Sequence, residues 1–109
     1  MTIITEDYVS DETFKLLKEK GFDDSCCRFV IESDETYYRG APTLQMAMKW
    51  LREIHNIDIF PWKIGKGIYS CAIFNSNTGQ DLSSNKDFPS KKYEETVEAA
   101  IKYCLENLI

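Results

Sequence analysis

The chain has 109 residues, the commonest size for one domain, and two domains would leave each near the lower limit for an independent core. Hydrophobic residues make up 43% and charged residues 28%, which excludes the low-hydrophobicity, high-charge composition of a disordered chain. The net charge of −5 runs against generic nucleic-acid binding, because phosphate contact and counterion release call for a basic surface.

The first element is a helix from Asp11 to Lys20. Ser10 is a suitable N-cap, with Val9 and Phe14 placed as a hydrophobic staple. Asp11 and Glu12 suit the positive end of the helix dipole, and Lys18 and Lys20 the negative end. Gly21 supplies a left-handed stop, after which Phe22 can fold back on Leu17. The run 26–32 then alternates, with Phe29 and Ile31 on one face and Arg28 and Glu32 on the other. A polar turn leads to a second short strand at 36–39, making a hairpin.

A second helix follows from Leu44 to His55, capped by Thr43 after Pro42. Leu44, Ala47, Met48, Leu51 and Ile54 form its apolar face, Met46 and Trp50 lie on the flank, and Asn56 stops it. The strands 57–64 and 68–74 are joined by Gly65–Lys66–Gly67, with glycine for positive φ. Pro61 cannot donate to a ladder, so its strand is an edge or carries a bulge. Residues 75–79 read as a turn and 80–84 as an optional further strand. The last helix runs from Lys91 to Leu108 with Ser90 as its cap. Its stripe is Tyr93, Val97, Ala100, Ile101, Cys104 and Leu108, with Leu105 beside it.

The order is α-β-β-α-β-β-(β)-α. The expected architecture is α+β: three helices packed on one face of a single antiparallel sheet of four or five strands.

The N-terminal stretch has neither a basic region nor a long apolar run, and no lipidation motif is evident, so a cytoplasmic protein with no membrane partner is expected. The four cysteines, Cys26, Cys27, Cys71 and Cys104, then read as free thiols, with Cys71 and Cys104 packing as small hydrophobes. Adjacent Cys26 and Cys27 point to opposite faces of a strand and share no metal easily. With a single histidine there are too few ligands for zinc, and no metal or other cofactor is expected.

His55 is the one weak catalytic candidate, with Asp58 nearby in sequence. The ordinary reading is that it ends a helix, where partial positive charge suits the negative end of the dipole. Residues 62–67 contain a Gly-x-Gly, but they lack the spacing and the Lys-Ser/Thr pair of a phosphate loop, and a hairpin turn explains both glycines. The aromatic residues say more. Alternation puts Phe60 and Trp62 on the face opposite Ile57 and Ile59, while Tyr37 and Tyr38 sit on the earlier hairpin. Either this face is an exposed aromatic surface beside an edge strand, or loops or a second subunit cover it. The contact candidates are Trp62, Phe60, Tyr37 and Tyr38, with Trp50 next.

Three blocks, residues 14–26, 41–59 and 93–109, resemble small proteins of anaerobic gut bacteria, their prophages and mobile elements. The pattern is a lysine-rich helix ending in Gly-Phe-Asp, a Pro-Thr-x-x-x-Ala-x-x-Trp-Leu-Arg-Glu helix and a closing helix opened by Tyr-Glu-Glu. That group has no established activity, so the resemblance implies a phage or mobile-element origin and transfers no site residue. The expected function is a non-enzymatic binding or accessory protein whose partner is a protein, with self-association through an edge strand as one form. The alternatives are an acidic, antitoxin-like inhibitor that occupies a basic site, and a small enzyme using His55.

Overall fold

The computed structural model describes residues 8–22, 28–31, 36–39, 42–83 and 87–109, with the backbone alone at 28–31 and 36–39. The elements are α1 (Asp11–Glu19), β1 (Arg28–Ile31), β2 (Thr36–Arg39), α2 (Leu44–His55), β3 (Ile57–Gly65), β4 (Ile68–Asn75) and α3 (Tyr93–Asn107). The fold is α+β with three helices and antiparallel strand pairing.

Local chemistry sets the ends of α1. The Ser10 hydroxyl accepts the Thr13 N–H at 3.3 Å, satisfying one of the free donors of the first turn. At the other end Gly21 takes φ +97°, the Phe22 N–H reaches the Leu17 carbonyl and the Gly21 N–H reaches that of Lys18. This is the paired bonding of a Schellman ending, and it delivers Phe22 into the core. α2 is built alike, with the Met46 N–H donating to the Thr43 hydroxyl and Asn56 left-handed at φ 58°. That reversal sends the chain directly into β3.

The strands do not make the single sheet of four or five expected from sequence. They form two separate antiparallel pairs, β1 with β2 and β3 with β4. A hairpin is fixed by its own turn, whereas joining two hairpins needs a long-range edge match that no local residue encodes. Residues 80–83 do not form the optional strand either, and residue 84 lies outside the described residues. Among the described residues they give one isolated bridge, Phe74 to Asp81, because the Asp81 carboxylate accepts both the N–H and the hydroxyl of Ser83 and bends the chain.

β3 and β4 carry the core. Ile57, Ile59, Cys71 and Ile73 are buried on the face that meets α2 and α3. Against them α3 buries Val97, Ala100, Ile101, Cys104 and Leu105 completely. α1 packs mainly on α3 and not on the strands, so only two helices cover the hairpin. Two local expectations also shift. Ile54 is 62% exposed, not part of the buried face, because the last turn of α2 places half-buried His55 inward instead. Nor does Ser90 cap α3. Its backbone exchanges two hydrogen bonds with Tyr69, which keeps it extended, and the helix starts at Tyr93 after Lys92.

The two edges of this hairpin differ. β4 turns the backbone groups of Tyr69, Ile73 and Asn75 away from β3, towards Ser90, Leu82 and Gln80, so its far edge is occupied. The β3 residues opposite these, Lys63, Ile59 and Ile57, turn theirs outward by the same alternation. Pro61, opposite Cys71, shares that outward direction, where its missing N–H removes nothing from the ladder. No strand is paired beyond β3 among the described residues. The pairing slips between Lys63 and Gly65, so Ile64 is the extra residue of a bulge, and Gly67 turns the tip with φ +74°. β3 is thus both an edge and bulged.

Replacing a fully covered α3 residue, Ile101→Ala or Leu105→Ala, is expected to cost about 2–5 kcal/mol of stability in urea unfolding. Ile54→Ala, at an exposed position of similar size, should stay within about 0.5 kcal/mol.

Candidate functional site

An antiparallel pair covered on one side usually alternates, with polar residues facing water. Here the outward positions of β3 and β4 are Asp58, Phe60 and Trp62, and Ser70, Ala72 and Phe74. Phe60 is 60% exposed and Trp62 48%, while Ile64 and Ile68 are exposed at the tip of the hairpin. Phe60 pairs with Ala72 and Trp62 with Ser70 across the strands. The small partners leave both rings standing above the sheet.

These rings line an open groove of about 670 Å³ with Asp58, Ile59, Ala72, Phe74, Asn75, Ser76 and Gly79. The groove is apolar along its length and polar at the end away from the tip. That polar end is shaped by a tight turn in which the Asn75 side-chain oxygen accepts the N–H groups of Asn77 and Thr78, and Gly79 closes with φ +76°. At the other end the Ser70 hydroxyl accepts the Phe88 N–H and is itself covered. Phe88 is held in turn, because its carbonyl accepts the buried Thr96 hydroxyl and its ring lies 5.6 Å from that of Tyr103.

The structure therefore brings two of the five contact candidates together, Phe60 and Trp62. Trp50 is elsewhere. It is half-buried on α2, edge-on to Phe22 at 5.6 Å and to His55 at 4.7 Å between ring centres, and lines a separate cleft with Met46 and Ile54. Tyr37 and Tyr38 sit in β2, in register with Val30 and Phe29, and their side chains lie outside the described residues. Sequence reasoning missed Phe74, Ile64 and Ile68 as members of the surface. For Phe74 the signal was present, since it continues the alternation of Ser70 and Ala72.

His55 is half-buried at the end of α2, against the ring of Trp50. It lines neither the Phe60–Trp62 groove nor the cleft beside Trp50. Its Nε2 is buried without a hydrogen-bond partner, and no hydrogen bond links it to Asp58 among the described residues. A general base needs an accessible nitrogen within reach of a substrate proton.

Cys71 and Cys104 are free and buried, whereas Cys26 and Cys27 lie outside the described residues. Burial pushes the Cys104 thiol up to about 12. It also raises Cys71, against a smaller opposing pull from the Thr96 hydroxyl at 3.7 Å. Both are protonated at neutral pH, which suits packing and not nucleophilic attack. No cluster of three or more His, Cys, Asp or Glu able to hold a metal occurs among the described residues, and no described helix is long and apolar enough to cross a membrane. Acidic and basic side chains interleave on α1 and α2, and Lys102 of α3 is paired with Glu12 of α1 at 2.7 Å.

Comparison with protein-family models, with curated proteins and with solved structures finds no match to this chain.

Two outcomes follow from these burials. With Cys26→Ser and Cys27→Ser in place, the two remaining thiols should be silent towards an aromatic disulfide reagent at about pH 8 until the protein unfolds. The thiol of an unfolded chain ionises at 9.0 and that of folded Cys104 at about 12, so in that interval the native state holds the extra proton and stability falls as pH rises. The two tryptophans should also separate in fluorescence. Trp50→Phe, which leaves Trp62, should emit further to the red and be quenched more strongly by iodide than Trp62→Phe.

Proposed function

We propose that this chain is a non-enzymatic binding or accessory protein that acts through protein contacts made by the outer face of β3 and β4. One observation carries this reading: Phe60 and Trp62 stand side by side, 60% and 48% exposed, where the sheet pattern calls for polar residues. Exposing rings of that size to water forgoes roughly 1–2 kcal/mol each, scaled from the value of complete burial. Such a patch is characteristic of an interface, and tryptophan is among the commonest anchors in one. The groove between the rings is open and lacks the enclosure that holds a small substrate.

The chemistry beside it supports the same reading. A hydrolytic or transfer reaction needs a nucleophile or base that reaches solvent, and among the described residues the His55 Nε2 and the thiols of Cys71 and Cys104 are buried. A phage or mobile-element origin, the expectation drawn from three blocks of the sequence, would suit an accessory role in which a small protein modifies the work of a larger one.

A photo-reactive amino acid placed at position 60 or 62 in the native cell tests the proposal. The expected outcome is a discrete protein adduct from those positions and none from exposed Lys15 or Glu106 treated alike. Equal labelling from all four positions, or no adduct at 60 and 62, removes the proposal.

A further inference from the structure

We infer that the partner of this face is a second copy of the same chain, docked face to face about a two-fold axis near Trp62; the inference rests on the binding role proposed above. Side-by-side pairing is disfavoured first. The far edge of β4 is taken by the backbone of Gln80, Leu82 and Ser90. The free edge of β3 presents Pro61 at its middle, where an incoming strand finds no N–H, and a bulge at Ile64 near its end. An added strand would therefore lose its ladder from Pro61 to the tip, keeping only the short stretch at Ile57 and Ile59. The faces, by contrast, are open.

The charges at the two ends of this hairpin are complementary to each other. Asp58 and Lys66 each stand four residues from Trp62, one before and one after it. Asp58 lies at the polar end of the groove, and Lys66 is exposed at the tip of the hairpin. A two-fold axis through the Trp62 region reverses one hairpin over the other. Each tip then lies over the polar end of its mate, bringing Lys66 of one copy to Asp58 of the other, twice per dimer. The shapes agree with the charges. The tip is slim, with Gly65 and Gly67 on either side of Lys66, and the notch that receives it is floored by Phe74 and rimmed by Asn75, Ser76 and Gly79. Exposed Ile64 and Ile68 arrive beside Phe60 and Phe74 of the mate. Two antiparallel layers stacked this way lie about 10 Å apart, which leaves room for one interleaved layer of rings.

Area sets the strength. The exposed parts of Phe60, Trp62, Ile64 and Ile68 amount to roughly 400 Å² per copy, about half of what a standard interface buries on each partner. Association is therefore of the weak class, with a Kd on the order of 0.1 mM.

Sedimentation velocity of the full chain over a range of about 5 µM to about 1 mM reads this directly, since the range brackets the expected Kd. The expected result is a reversible shift from monomer to dimer. Asp58→Lys and Lys66→Asp should each weaken it about tenfold or more, because each sets like charges together twice. The double variant should recover most of the loss, which also shows that neither single change acts by unfolding. Salt should weaken the wild-type dimer and change the uncharged Asp58→Asn, Lys66→Gln pair less. A chain that stays monomeric throughout overturns the second-copy inference, while adducts from position 62 to a different protein would still uphold the binding face. A dimer indifferent to Trp62→Asp and to both charge reversals overturns the inference and removes this face as the site of contact.

Discussion

The packing of α3 against the inner face of β3 and β4 is the contact on which the other elements depend. Val97, Ala100, Ile101, Cys104 and Leu105 lose all exposure there, against Ile57, Ile59, Cys71 and Ile73. Each aliphatic side chain covered in this way contributes about 1.5–3 kcal/mol, more than any cap or surface ion pair in the molecule. α1 reaches the core through α3, and α2 is wedged between α3 and β3. Even the irregular connection after β4 is secured from α3, since the buried Thr96 hydroxyl donates to the Phe88 carbonyl. The Glu12–Lys102 pair and the Glu98 carboxylate, which accepts the Ser10 N–H, then position α1 on the outside of α3 at little energetic gain.

Such an arrangement assigns the two faces of one hairpin to different tasks. The inward face buries Ile57, Ile59, Cys71 and Ile73, and the buried Thr96 hydroxyl beside them is hydrogen-bonded. Among the described residues the outward face has rings but no helix, because α2 and α3 are used on the inward face and α1 on α3. The site is therefore a by-product of how few elements the chain has. It sits on two paired strands backed by the core, so its rings stand on a firm base although they face solvent.

The parts of the fold governed by near neighbours were legible in the sequence. Ser10, Gly21 and Phe22 mark both ends of α1, and Thr43 with Asn56 mark those of α2. Gly67 marks the tip of the hairpin, and Pro61 marks β3 as an edge. What needed distant contacts was not legible. Ser90 has the chemistry of a cap, but its pairing with Tyr69, twenty-one residues away, overrides it. The two hairpins carry the same kind of signal whether or not they join, and here they stay apart. At the site, alternation put Phe60 and Trp62 on one face, yet only the course of α1 decided that this face is open. Trp50 illustrates the converse, because nothing in its own helix announces that Phe22 closes on it.

A proline on the outward side of β3 has a further consequence for a cell that makes this protein in quantity. A bare aromatic layer next to a free strand border is the usual seed of cross-β growth, in which each molecule templates the next without limit. At Pro61 that growth meets a ring where an amide hydrogen is required, and the bulge at Ile64 twists the border away from a flat template. The chain can thus keep an oily surface exposed to water without being recruited into fibrils.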